Sequence, residues 1–378
     1  MDNKSRRRIG LLLENDDLGV IYYLNNITVA ISYLEDNQKP HIVLFYSEDC
    51  AKHVSIFKYE YLETYLIKKP SLAIGFLKSK LLNKNYFIQS IEKTNKVEAL
   101  FPVNLLPVGK SNLKLVSWIP DFQHKFFAHL FKRKNLLMRE FRFKSIINNT
   151  SVLVLSSEDA YSHLKNFYRI KQSTKIKVLP FVSLMRGLTF PKWSEMKSKY
   201  QIGRPYFLIS NQFYVHKNHI VAVEALKILR SKGYDFEIIM TGKTEDYRDP
   251  VFFPNLVKNI EINGLEGFIK ILGLIPRIDQ LTLLKNALAV IQPSKFEGWS
   301  TIIEDAKSLN QHVICSNIPV HIEQLDKSGF YFNPDSASEL AEKMVLFLES
   351  KVTGIPIYES EEIRTIRFAQ QFLSIFES

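Results

Sequence analysis

Disulfide chemistry is nearly absent from this chain: its 378 residues hold only two cysteines, Cys50 and Cys315, each beside a strand-like apolar run. Buried free thiols in a reducing compartment are the expectation, in place of a stapled secreted scaffold. No run approaches the roughly 20 apolar residues of a membrane span. The basic start "MDNKSRRR" leads into an apolar run, Ile9 to Leu13, that Glu14 interrupts and that is too short for a secretory signal. Together these absences predict a cytoplasmic protein that meets a membrane only at its inner surface. Low-complexity tracts and short internal repeats are missing too. Nothing matches a zinc finger or an RNP1 segment, which argues against a nucleic-acid partner.

Acidic residues are scarce in one half only. Up to Tyr200 there are 32 Lys and Arg against 17 Asp and Glu; the remainder holds 18 against 22, so a net charge of +11 is very unevenly spread. A basic half predicts an anionic partner: an acidic lipid surface or a phosphorylated substrate. Within "HLFKRKNLLMREFRFK" (His129 to Lys144), Phe131, Leu136, Phe141 and Phe143 interleave with six cations. The plain reading is a solvated helix with an aromatic inner face. The functional one is reversible docking on anionic membrane, with Lys132, Arg133 and Lys134 on the headgroups.

The apolar content of 46% is ample for two cores. Strand-like runs "IGLLLE", "HIVLFYS", "VEALFPV", "LKLVSWIP", "SVLVLSS" and "IKVLPFVS" fill the first half, with a basic helical region expected from Tyr59 to Lys93. "YFLIS", "FEIIMTG", "IKILGLIP", "ALAVIQPS" and "HVICS" follow in the second, separated by helical patterns such as "HIVAVEALKILRSKG". Alternating strands and helices predict an α/β protein of two parallel sheets covered by helices. The expected domains are 1–195 and 196–355, with 356–378 a C-terminal helix packing back on the first domain. Pro191, Gly203 and Pro205 punctuate the boundary.

Two loops carry the candidate chemistry. In "ALAVIQPSKFEGWSTIIEDAKSL", Pro293 stops a buried strand, and Ile302, Ala306 and Leu309 repeat at helical spacing, so Glu297 falls in a strand-to-helix turn. Such turns open at the carboxyl edge of the sheet, where ligands meet helix N-termini. In "NQFYVHKNH" after "YFLIS", Lys217 stands at the start of another helix, suited to an anion, although a solvated loop lysine is the bland alternative. His216 and His219 lack a nearby carboxylate or third ligand, so no metal site is expected.

"SNQFYVHKNH", "GLIPRIDQLTLLKNALAVIQPSKFEGWSTIIEDAKSLNQHVICSNIPVHIEQ" and "SWIPDFQH" resemble the retaining, nucleotide-sugar-dependent enzymes of glycosyltransferase family 4. The resemblance implies the GT-B architecture, two facing Rossmann-like domains with an interdomain cleft. It also implies a nucleoside-diphosphate sugar as co-substrate, with no cofactor and no metal. The motif of Glu, seven residues, then Glu begins at Glu297 and ends here on Asp305, preceded by Glu304. The resemblance implies that Glu297 lies against the donor sugar and that Asp305 or Glu304 holds the ribose. Gly298, Trp299 and Ser300 are implied to approach the diphosphate, with Lys217 and Asn218 beside it and Ile275 at the nucleobase. Gln212 stands where the family carries Arg. In the first half, Asp121 and His124 are implied at the sugar and acceptor, and Gly19 is the single glycine left of an acceptor loop.

The acids Glu14, Asp16 and Asp17 are read as an acidic loop. Glycosidases flank the scissile bond with two carboxylates, a part Glu297 and Asp305 could play. A lysine and helix N-termini beside them suit a diphosphate leaving group better. The expected activity is therefore sugar transfer, and the resemblance implies a glycan or polyprenyl-diphosphate-linked acceptor, in surface polysaccharide synthesis of O-antigen or capsule type. The alternatives are a GT-B epimerase or phosphorylase and a non-catalytic nucleotide-sugar-binding subunit.

Overall fold

A computed structural model describes residues 6–68, 71–104, 109–246 and 248–377. The strands β1 (Arg8–Leu13), β2 (His41–Tyr46), β3 (Leu62–Leu66), β4 (Ala99–Phe101), β5 (Lys114–Ile119), β6 (Val152–Leu155) and β7 (Lys175–Val178) form one parallel sheet in the order β3-β2-β1-β4-β5-β6-β7. The strands β8 (Tyr206–Ser210), β9 (Glu237–Thr241), β10 (Ile269–Gly273), β11 (Val290–Gln292), β12 (Val313–Ser316) and β13 (Gly329–Phe332) form a second, in the order β10-β9-β8-β11-β12-β13. Continuous apolar runs make these strands because helices cover both faces of a parallel sheet: Leu11, Val43, Leu44, Phe207 and Leu208 are all fully buried. The fold is thus α/β with two Rossmann-like sheets. In each sheet the order reverses once, between β1 and β4 and between β8 and β11, and a reversal of that kind opens a crevice at the strands' carboxyl ends.

Two compact units contain these sheets. The first comprises Met1–Phe126, Lys132–Val182 and Glu362–Ser378; the second comprises Phe127–Phe131 and Ser183–Glu361. The last helix, Glu361–Ser374, buries Phe368 and Phe372 in the first unit, where their rings meet Tyr23 at 6.4 Å and Phe101 at 5.5 Å. Among the described residues, no helix is long and apolar enough to cross a membrane.

One expectation is corrected. The region from Tyr59 to Lys93 is not helical throughout: Leu62–Leu66 pairs in parallel register with Ile42–Tyr46 as edge strand β3. Its pattern is mixed because only the side toward β2 is satisfied by neighbours, and the partner supplies the ladder that local propensity does not. The helix begins only at Leu72, with the Ser71 hydroxyl accepting from the Ile74 amide at 3.3 Å.

Candidate functional site

The loops after β8 and β11 emerge side by side, since these strands neighbour each other at the reversal. After β8 the chain makes the turn Val215–Lys217, and Asn218 (φ 56°) then opens the helix His219–Ser231. Left-handed backbone suits Asn better than most residues. The Asn218 amide is turned inward, donating to the carbonyls of Pro293 (3.1 Å) and Pro334 (2.8 Å), so it ties the β8 loop to the β11 loop. Lys217 is thereby placed with its Nζ donating to Glu297 Oε1 at 2.5 Å. Gln292, the last residue of β11, donates from Nε2 to the same oxygen (2.9 Å) and to Ser300 Oγ (2.8 Å). Its own Oε1 accepts from Asn211 Nδ2 at 2.5 Å. A carboxylate with 9% of its side chain exposed is thus held by a cation and an amide.

From Glu297, Gly298 and Trp299 lead into Ser300, the cap of the helix Thr301–Ser308. Gln324 clamps this cap, accepting from the Ser300 amide at 2.9 Å and donating to its carbonyl at 3.1 Å. The two acids of the helix are both buried and engaged. Glu304 accepts from Gln324 (3.2 Å) and Lys307 (3.0 Å). Asp305, with no exposed side-chain surface, accepts a two-pronged contact from Arg277, Nη1 to Oδ2 at 2.7 Å and Nη2 to Oδ1 at 2.5 Å. Asp305, one of the two acids expected at the ribose, is therefore paired with a guanidinium, and Arg277 begins the helix Arg277–Asn286 just after Ile275 and Pro276.

An open depression of about 100 Å³ lies against the ends of β8, β9 and β10, lined by Ser210, Gln212, Thr241, Gly242, Ile275 and Gln280 among others. Gln212 accepts from the Lys243 amide at 2.7 Å, so it braces a loop. At Gly242 (φ 141°), any Cβ would fall 2.0 Å from the Asn211 carbonyl oxygen, and only glycine lets β8 and β9 end this close together.

Three histidines surround the Lys217–Glu297 pair in sequence, and all are buried. Burial and the Lys217 charge push His216 down to about 2 and His219 to about 3. His219 stacks on Phe213 at 4.4 Å. His321 donates from Nδ1 to the Ser316 carbonyl at 3.0 Å, with the Ser316 hydroxyl oxygen also 3.0 Å from Nδ1, and burial lowers its pKa to about 4 against the opposing pull of Glu297. No group of three or more His, Cys, Asp or Glu among the described residues is arranged to hold a metal ion.

The three expected residues of the first half lie in the first unit. His124 is 2% exposed, edge-on to Phe143 at 4.9 Å, with Nε2 3.2 Å from the Tyr168 hydroxyl and 3.4 Å from Glu140. Burial, then the Arg139 charge, lowers its pKa. Burial opposes ionisation of Glu140, yet bonds from Lys125 and Tyr168 hold it at about 2. Asp121 accepts from the Gln123 amide at 2.9 Å, and the Gly19 amide donates to Asp17 at 2.9 Å at the cap of the helix Leu18–Ser32. Asp16 is paired with Lys52 (2.5 Å) and His53 (2.6 Å).

Sequence reasoning missed Asn211, Gln292, Gln324 and Arg277. For Gln292 a signal existed: a polar residue closing an apolar strand needs a buried partner. Arg277 and Gln324 carry no such mark, because their roles depend on residues 28 and 24 positions away.

Residues 194–362, the segment containing all six strands of the second sheet, match the family described as glycosyl transferases group 1. No curated protein matches the sequence. Solved structures share the fold over nearly the whole chain. A glycosyltransferase from Rickettsia africae is 18% identical with a TM-score of 0.65, over 98% of this chain and 94% of that one. HepE from Anabaena, in complex with UDP and glucose, is 16% identical with a TM-score of 0.69, over 97% and 98%. WaaG, a glycosyltransferase involved in lipopolysaccharide biosynthesis, is 13% identical with a TM-score of 0.59, over 96% and 93%. The fold class is GT-B, and within it the second unit is the part that is similar to the group 1 glycosyl transferases.

Proposed function

We propose that the protein is a retaining, metal-independent glycosyltransferase of family 4 type. It moves a sugar from a nucleoside-diphosphate donor to a glycan or lipid-linked acceptor in surface polysaccharide synthesis, at the cytoplasmic membrane face. The observation that carries this reading is the Lys217–Glu297 contact at the reversal of the second sheet, beside the capped helix Thr301–Ser308. A diphosphate placed there meets an ammonium group and helix amides, while the carboxylate lies where a sugar attached to that diphosphate would sit. HepE, bound to UDP and glucose, and WaaG, with its part in lipopolysaccharide synthesis, support the donor class and the pathway type.

In the step proposed, the bond from the anomeric carbon to the leaving phosphate oxygen breaks, and the acceptor oxygen bonds the same face of that carbon. The acceptor's proton passes to the leaving phosphate oxygen. Glu297 stabilises the positive charge that develops on the sugar, and Lys217 the negative charge on the diphosphate.

A thermal-shift screen of nucleoside diphosphates and their sugars tests the donor site, since a ligand bound to the native state stabilises it by RT ln(1 + [L]/Kd). The expected result is a rise in Tm with one diphosphate, followed by transfer from its sugar to a lipid-linked glycan with the anomeric configuration kept. No shift with any of them would overturn the reading. Binding without turnover would favour a non-catalytic subunit, a reading to which the Arg277 clamp on Asp305 lends some weight.

A further inference from the structure

The helix Leu72–Leu82 wears its apolar side outward. Gly75 and Ser79 form its inner side: a Cβ on Gly75 would lie 2.5 Å from the Phe87 ring, and the Ser79 hydroxyl accepts from the Tyr86 amide at 2.9 Å. Ile74, Leu77 and Leu81, at i, i+3 and i+7, point to water. The Phe76 ring lies 6.3 Å from Phe141, joining this helix to Arg133–Asn149, which exposes Leu137, Met138 and Phe141. These six large apolar side chains are each between 54% and 74% exposed, all within the first unit. An unpartnered apolar surface of this kind marks an interaction site.

Charge identifies what covers it. Lys78, Lys80 and Lys84 are exposed along the first segment, and Lys132, Arg133, Lys134 and Lys144 along the second. No Asp or Glu occurs from 64 to 91, and the second helix has only Glu140, which Lys125 engages at 2.7 Å. A second copy packed on this face by a two-fold axis would set lysines against lysines. A bilayer rich in anionic headgroups satisfies both the apolar centre and the cationic border.

We propose that these two helices form a membrane-docking face: Ile74, Leu77 and Leu81 enter the acyl boundary of an anionic bilayer while the lysines meet its phosphates. The sequence pointed only to the second helix, and there Phe143 is buried rather than available. This deepens the reading above and rests on it only for the acceptor that docking would bring within reach. Vesicle binding is measured without donor or acceptor, so failure of docking and failure of sugar transfer are seen separately.

The test is co-sedimentation of the full chain with phosphatidylcholine vesicles carrying 0 to 50% phosphatidylglycerol (about equal parts at most), at low and high salt. Binding is expected to rise with the anionic fraction and fall with salt. The variant Leu77→Ser/Leu81→Ser, at exposed positions, is expected to keep the parent's Tm and lose about tenfold in partition even at low salt. Lys78→Gln/Lys80→Gln/Lys84→Gln is expected to weaken the lipid-charge dependence, with the remainder carried by the cations of the second helix. Equal binding to neutral and anionic vesicles, or no binding, overturns the proposal. So does sedimentation equilibrium showing a dimer that the Leu77→Ser/Leu81→Ser variant dissociates, which would assign the face to self-association.

Discussion

Lys217 Nζ and Glu297 Oε1 lie 2.5 Å apart although 80 positions separate them in the chain. The pair bridges the loops after β8 and β11, where the order of the second sheet reverses. Each charge offsets the burial of the other, and the Gln292 amide fixes the carboxylate from below. Under the proposed function, an arriving diphosphate would compete with Glu297 for the ammonium. Binding and chemistry at this point are therefore linked, and substitutions can separate them.

Glu297→Gln keeps a carbonyl oxygen for Lys217 and removes the charge. Turnover at saturating donor is expected to fall roughly 10²–10³-fold, the scale of a lost electrostatic stabiliser, with the far-UV spectrum unchanged. A turnover within threefold of the parent's (about 0.6 kcal/mol) would take the charge-stabilising role away from Glu297.

Lys217→Ala is expected to weaken a nucleoside diphosphate by about 1.5–3 kcal/mol and leave the free nucleoside unaffected, as titration calorimetry would report. Equal weakening of both ligands would show that Lys217 acts on the loop and not on the phosphates. The double variant with Glu297→Gln should be non-additive, because the two side chains share one contact.

Arg277→Ala strands the buried Asp305 carboxylate. A loss of about 1–3 kcal/mol in urea unfolding is expected. This is less than the roughly 3–5 kcal/mol of a fully buried pair, because the Arg277 side chain is 41% exposed and water reaches it. Arg277→Ala combined with Asp305→Leu should recover most of that loss, since the desolvated charge is then gone. A double variant no more stable than Arg277→Ala would mean that the guanidinium matters for packing and not for the charge.

Acid is expected to destabilise the second unit through its histidines. His216, His219 and His321 have native pKa values of about 2, 3 and 4, below the unfolded value. Their contribution is complete above about pH 6.5 and is lost as pH falls, because the unfolded chain takes up protons that the native one refuses, at up to about 1.4 kcal/mol per pH unit for each group. His219→Phe, which can keep the stack on Phe213, should make the dependence of the urea midpoint between pH 6.5 and 5 shallower than the parent's. Parallel curves would mean that His219 is protonated in the native state.

The sequence by itself determined the α/β class and the strand-to-helix turn that carries Glu297, because both follow from local apolar periodicity and from turn residues. It also marked Lys217, at the start of a helix. What only tertiary structure decided is which groups those side chains meet. The Lys217–Glu297 contact and the Gln292 and Gln324 braces need β8, β11 and β12 to lie side by side, a non-local arrangement that no window of sequence contains. Edge strand β3 was hidden for the same reason, since its hydrogen bonds come from β2. His124 shows the reverse case. Its neighbours Pro120, Asp121 and Phe122 resemble an acceptor-side motif, yet Glu140, Phe143 and Tyr168, brought in from later elements, hold its ring inside the first unit. Asp305 is marked in the sequence only by its place in the motif, and it is the fold that sets Arg277 against both of its oxygens. Spacing along a chain identifies candidates, but burial and pairing belong to the packed elements, where the cost of an unpartnered polar group selects its neighbour.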